Sequence, residues 1–201
     1  MMRIVIIFSI LAISAFSCVS PTKPTSFMSQ ELKDYTDFKT GSYWIYMDSA
    51  NPNVQDSIAL IFHKTSIAPE MDGADGPPPA EVFNDTLISS KEGKFTADGT
   101  GSIDDYHMKY STWTSAETVY YIPASGTQYD DWGSMTYLGS LPNVNFSGYK
   151  YNLIKQFQAE PNSQFPLMPP LTHIFWAKNI GIVKKTVSGK TWILIRYHVV
   201  Q

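Results

Sequence analysis

From Ser42 to the end of the chain, hydrophobic residues recur with a period of two, and in the clearest segment both phases of that period are apolar. Within Lys190 to Val200, Ile193, Ile195, Tyr197 and Val199 share one face of an extended strand, and Trp192, Leu194, Arg196 and His198 share the other. Alternation of this kind is the signature of a β-strand. A strand that carries large apolar side chains on both faces cannot leave one of them to water. Its sheet must be covered on both sides, or curl so that one face lines a cavity. The expectation is a mainly β chain: a single antiparallel β-rich domain, a curled sheet, half-barrel or sandwich, with few short helices.

The same period runs through the preceding segments. In Ser42 to Asp48, Tyr43, Ile45 and Met47 alternate with Trp44 and Tyr46, and Ile58, Leu60 and Phe62 alternate with Ser57, Ala59 and Ile61. Asn51-Pro52-Asn53 between these runs is turn chemistry, so they read as a hairpin. Further strands are expected at Glu81 to Ser89, around Phe95, at Tyr106 to Thr114 and at Thr118 to Ile122. Another is expected at Tyr149 to Gln158, with Tyr151, Leu153 and Lys155 opposite Asn152, Ile154 and Gln156. Ile174 to Ala177 and Gly181 to Val187 follow. If Ser188-Gly189 is a two-residue turn, Ile182 lies opposite Ile195 and Val183 opposite Leu194. Ile67 to Pro79, Gly126 to Asn145 and Glu160 to Pro170 read as irregular loops, and Asp98 to Asp105 as a turn. Ser29 to Phe38 has room for one or two helical turns with Leu32 and Tyr35 on one side.

The N-terminus carries a different signal. Met1, Met2 and Arg3 precede a thirteen-residue apolar run, Ile4 to Phe16, broken only by Ser9 and Ser14. The run is too short to span a bilayer, which takes about 20 residues, and has the layout of a cleaved export leader. Ala15-Phe16-Ser17-Cys18 resembles the bacterial lipobox, in which cleavage leaves the cysteine as the new N-terminus and its sulfur carries a diacylglyceryl group. Cys18 is the only cysteine of the chain, so no disulfide competes for it. Acyl chains such as palmitate each add about 0.8 kcal/mol of membrane affinity per buried methylene, and two or three of them hold a protein to a bilayer almost permanently. The expected division is therefore 1–17 signal peptide, 18–37 acylated cysteine and tether, and 38–201 β-rich domain. Within the tether, Val19 to Thr25 mixes Pro, Ser and Thr without an apolar period.

Composition narrows the function classes. The chain of 201 residues has 15 Lys and Arg against 18 Asp and Glu, and the leader holds only Arg3. The mature chain is thus mildly acidic, which argues against a nucleic-acid partner. Its 14% of aromatic residues suits sheet structure, and equally surfaces that bind sugars or lipids.

Two segments, Phe38 to Tyr46 (FKTGSYWIY) and Phe175 to Lys184 (FWAKNIGIVK), together with Gly148 to Tyr151, resemble uncharacterised lipoproteins of the Bacteroidota. The resemblance implies a lipid-anchored outer-membrane protein and brings no activity with it. Asp48-Ser49-Ala50, Asp56-Ser57-Ile58 and Asp85-Thr86-Leu87 are similar to the O-glycosylation site of exported proteins in that phylum, which would make Ser49, Ser57 and Thr86 acceptors. Surface-exported lipoproteins of the phylum tend to carry acidic residues just after the cysteine; Val19 to Thr25 has none, which favours a periplasm-facing domain.

No strong catalytic pattern is present. His63, His107, His173 and His198 are isolated in sequence, and there is no HxH, HExxH, GxSxG or phosphate-binding glycine loop. No catalytic residue, metal or cofactor is expected. Three readings stay open. The first is a non-enzymatic envelope lipoprotein that holds an apolar ligand in a curved sheet or docks an envelope protein. The second is a glycan-binding module using Trp113, Tyr120, Tyr129 and Trp132. The third is a hydrolase using Asp130 or Asp131 beside Trp132.

Overall fold

The structure, a computed structural model, describes residues 23–69, 76–91, 93–101, 105–111, 117–123, 135–159, 171–187 and 189–201. For 105–111, 117–123, 135–136, 159 and 171–172 it gives the backbone path alone. Among the described residues one short helix, α1 (Gln30–Thr36), precedes eleven strands: β1 (Tyr43–Asp48), β2 (Gln55–Ala68), β3 (Ala80–Ser89), β4 (Gly93–Thr100), β5 (Asp105–Ser111), β6 (Glu117–Pro123), β7 (Met135–Phe146), β8 (Tyr149–Ala159), β9 (Leu171–Ala177), β10 (Gly181–Val187) and β11 (Lys190–His198). All eleven form one antiparallel sheet in the order β6-β5-β4-β3-β2-β1-β11-β10-β9-β8-β7. Apart from the β1–β11 pairing, every neighbour is consecutive in sequence, so two meanders are joined where the last strand returns to the first.

The sheet is curled into a half-barrel, and α1 measures the curl. Lys33 reaches Glu81 on β3 at 2.8 Å, while the Tyr35 hydroxyl donates to the Leu153 carbonyl on β8 at 2.9 Å. Those strands are six places apart, roughly 29 Å in a flat sheet at the usual spacing of about 4.8 Å. A helix of seven residues is only about 10 Å long. It can touch both strands only because the sheet wraps around it.

The alternation read from the sequence sets the two faces. Trp44, Tyr46, Ile58, Leu60, Phe83, Leu87, Phe95, Phe157, Ile174, Trp176 and Leu194 are buried, and they meet Met28, Leu32, Tyr35 and Phe38 from the N-terminal segment in one core. Trp44 and Trp176 anchor it. Phe38 packs edge-on against Trp44 at 5.5 Å, and Tyr35 against Trp176 at 5.9 Å. The opposite face of β9 and β10 is covered too: Phe146 packs edge-on against Phe175 at 5.0 Å, with the Lys184 ammonium over both rings. Packing reaches further back than residue 38, because Ser26 bridges to Ala80 and α1 is N-capped by Ser29, whose Oγ accepts from the Leu32 amide.

Gly41 and Gly181 lead into β1 and β10 with φ of +99° and +96°, a left-handed conformation that costs glycine little. The last hairpin has the register of a two-residue turn, with Val187 opposite Lys190 and Lys184 opposite Ile193.

Four expectations need correction. Gly126 to Asn145 is not irregular throughout, because its second half is β7; Pro142 hides the strand in the sequence, yet β7 is an edge strand, where proline is tolerated. Asp98 to Asp105 is not all turn, since β4 runs to Thr100 and β5 begins at Asp105. β2 continues to Ala68 rather than ending before Ile67. On β8, Leu153 does not share a face with Tyr151 and Lys155: its φ of +52° breaks the alternation, leaving it exposed while Ile154 and Lys155 are both buried. Cys18 and the leader, together with Glu160 to Pro170, lie outside the described residues.

Candidate functional site

Between α1 and the concave face of the half-barrel lies a small cavity of about 60 Å³, lined by Tyr35, Phe38, Trp44, Leu60, Leu87, Phe95 and Trp176 among others. Its walls come from β1 to β4, β9 and β10, of which alternation in the sequence had assigned faces in β1 and β2 only, and its roof is the apolar side of α1. Tyr46 and Trp44 extend the wall by hydrogen bonding across the sheet, the Tyr46 hydroxyl to Ile182 O at 2.8 Å and Trp44 Nε1 to Ile180 O at 2.5 Å. A site that encloses a small molecule typically measures ~300–1,000 Å³, so a space of this size encloses no organic ligand as it stands.

The rim of the cavity is polar. Lys185, buried on β10, holds its ammonium 5.2 Å from the Tyr46 ring centre and 3.9 Å from Asp56 Oδ2. Asp56 in turn accepts from Ser89 Oγ at 2.8 Å and Ser90 Oγ at 3.0 Å. Asp85 meets His63 Nδ1 at 2.7 Å, and His63 Nε2 lies 3.3 Å from Asp37 and 3.4 Å from Lys39 Nζ. Burial pushes the Asp85 carboxyl up to about 8, helped by the nearby Asp37, and burial next to Lys39 pushes the His63 imidazole down. Both shifts favour the uncharged forms of the pair, which is joined by a hydrogen bond. It ties the C-terminal end of α1, through Asp37, to β2 and β3.

A second space opens on the other side of Tyr35. It is a groove of about 570 Å³ between the polar face of α1 (Gln30, Glu31, Asp34) and Ser140, Leu141, Pro142, Leu153, Lys155 and Lys178. Two ion pairs cross it: Lys155 to Glu31 at 2.8 Å and Lys178 to Asp34 at 2.7 Å. Lys178, and then the Gln30 amide, hold the Asp34 carboxyl below its ordinary range. Desolvation pushes the Tyr35 phenol up to about 12, so it keeps its proton and remains a donor to Leu153 O.

Trp113, Tyr129 and Trp132, with Asp130 and Asp131, lie outside the described residues, as does the side chain of Tyr120. Ser49 and Ser57 are exposed and Thr86 is half-buried, whereas the aspartate before each is buried. Those aspartates work within the fold: Asp48 accepts from the Ala50 amide, Asp56 from Ser89 and Ser90, and Asp85 bonds His63. Sequence reasoning missed Tyr35, Lys155, Lys178 and Glu31 as one site, because they come from α1, β8 and the β9–β10 turn. The one available signal was a lysine at position 155 in an otherwise core-forming strand.

Among the described residues no group of three or more His, Cys, Asp or Glu is placed to hold a metal ion, and no helix is long and apolar enough to cross a membrane. Comparison with known protein families, characterised proteins and solved structures finds no match.

Proposed function

We propose that this chain is a lipid-anchored protein of the bacterial outer membrane, facing the periplasm, whose half-barrel holds an apolar chain without acting on it chemically. The observation that carries the reading is the aromatic cavity roofed by α1. At seven residues, α1 is shorter than the ~12–15 residues that make an isolated helix even marginal, so it owes its form to what it packs on. Two of its polar ties to the sheet, Lys33 to Glu81 and Asp34 to Lys178, are partly solvated, and such pairs contribute about 0–1 kcal/mol each. An apolar chain that buries more surface against Trp44, Leu87, Phe95 and Trp176 than α1 does can take its place, enlarging the closed cavity. The leader supplies the setting, with Cys18 as the anchor.

The test is native mass spectrometry of mature chain starting at Val19, exported on a conventional leader and purified without detergent. An adduct with the mass of an acyl compound, or uptake of added dodecanol, is expected. A bare protein that takes up no chain would contradict the reading. For the anchor, Cys18→Ser moves the protein out of the membrane fraction; membrane retention of the processed variant would contradict it.

A further inference from the structure

We infer that the end of the half-barrel where β2 stops and β3 begins rests on the membrane, with Phe27 and Ile67 seated in the lipid interface. This rests on the reading of Cys18 as a lipid anchor and adds the orientation in which the anchored domain sits. The first observation is where the chain joins the sheet. Ser26 pairs with Ala80 as a short parallel bridge, its amide donating to Pro79 O at 2.8 Å and its carbonyl accepting from the Glu81 amide at 2.8 Å. The Met28 amide donates to Glu81 Oε2 at 3.1 Å, and the Met28 side chain is buried in the core. The chain is therefore fixed to the sheet from Ser26 onward. Cys18 precedes Ser26 by eight residues, which at full stretch span at most about 28 Å. β2 runs from Gln55 to Ala68, the partner of Ala80, a length of about 43 Å at the usual strand rise. A domain standing on its Gln55 end would hold Ser26 beyond the reach of an acylated Cys18. Of the two ends, the anchor thus keeps the Ala68–Ala80 end at the bilayer.

The second observation is what this end exposes. Phe27, at 66%, is the most exposed large apolar side chain among the described residues, and Ile67 is 50% exposed. The two are level in the sheet. Ile67 pairs with Glu81, and Phe27 follows Ser26, the parallel partner of Ala80, so their backbones stand on either side of Glu81, about 10 Å apart. Neither can withdraw into the core. The bonds of Ser26 and Met28 hold Phe27 in place, and the neighbours of Ile67, Ser66 and Ala68, are paired with Val82 and Ala80. Glu81 between them meets Lys33 at 2.8 Å, so its charge is neutralised and does not repel the head-group region. A single exposed apolar side chain is ordinary on a protein surface. Two of them, held out by a fixed backbone at the end that the acyl chains keep near lipid, form an apolar face suited to the boundary between head groups and acyl chains.

The experiment places a fluorophore at each end of the acylated chain. Cys18 is the only cysteine and acylation consumes its thiol, so Phe27→Cys, Ile67→Cys and, at the opposite end, Asn53→Cys can each be labelled singly with NBD. All three side chains are exposed, so the substitutions do not touch the core. Mass spectrometry first establishes the lipid on Cys18, and each labelled protein is then reconstituted into vesicles of phosphatidylethanolamine and phosphatidylglycerol. At positions 27 and 67, NBD emission is expected to rise at least threefold over the same label on soluble chain starting at Val19, and to be quenched by lipids carrying a doxyl group near the head group. At position 53 neither change is expected. Acylated protein with no rise at 27 and 67, or with the same rise at 53, would overturn the membrane face. A rise at 27 and 67 that grows with protein density and escapes the doxyl lipids would give the surface to a second copy of the chain, and would overturn it too. A Cys18 without lipid would overturn the anchor on which the face depends.

Discussion

Tyr35 separates two spaces of opposite character. On its inner side, aromatic and aliphatic side chains close on one another and leave about 60 Å³; on its outer side, two ion pairs line a groove of about 570 Å³. The difference follows from the linings. Apolar walls gain by touching, so a space lined with Trp44, Phe95, Leu87 and Trp176 collapses until something apolar fills it. Charged walls gain by staying hydrated, so Glu31, Asp34 and Lys178 keep the groove open. The comparison teaches that volume follows the chemistry of the walls: an apolar lining closes its own space and a charged lining keeps its space open.

The largest effect expected from disturbing this contrast is on the inner side. Trp44→Ala removes the ring that packs on Phe38 and donates to Ile180 O, and should cost about 3–5 kcal/mol by urea unfolding. A cost under 1 kcal/mol would show that the cavity wall is not the core. Next comes Gly181→Ala, where the φ of +96° and a new methyl 3.2 Å from Trp44 Nε1 combine to cost roughly 1–3 kcal/mol in the same measurement.

The polar rim gives a pH test. Burial raises the folded Asp85 carboxyl from 3.8 to about 8, so its contribution to stability is complete below pH 3.8 and is lost as pH rises through 8. His63, lowered from 6.5, acts in the opposite sense, losing stability as pH falls below that value. Between pH 6.5 and 8 the Asp85 effect is therefore not opposed by His63, and the midpoint of thermal unfolding should fall with rising pH and level off above pH 8. Asp85→Asn, which keeps a hydrogen bond to His63, should flatten that decline; a wild-type midpoint that does not fall over this range would contradict the assignment. The smallest effect belongs to the groove. Lys178→Gln breaks a partly solvated ion pair and should change stability by less than about 1 kcal/mol in urea unfolding, and that change should shrink in high salt.

Much of the sheet was legible in the sequence, because alternation, turn residues and the two glycines report local geometry directly. Ser188-Gly189 fixed the register of the last hairpin, and the apolar character of both faces pointed to a curled sheet. What escaped was non-local. Pro142 disguised β7, since only the sheet order reveals that the strand is an edge. Leu153 turned the alternation of β8 over by adopting a left-handed conformation that its side chain does nothing to announce. The groove left one trace in the sequence, a lysine within the core-forming strand β8. Lys155, Lys178 and Glu31 are unremarkable surface-type residues in sequence, and only the curl of the sheet brings them around α1. His63 and Asp85, isolated in the chain, likewise meet because β2 and β3 pair with them in register.

The central claim, that the concave face takes up an apolar chain as α1 gives way, is tested most directly by photo-crosslinking. Mature protein would be incubated with a dodecanol carrying a diazirine near its methyl end, irradiated, digested and mapped by mass spectrometry. Adducts on the cavity wall, at Leu60, Leu87, Phe95 or Trp176, are the predicted result. Adducts confined to exposed residues such as Phe62 and Ile88, with none on the cavity wall, would contradict it.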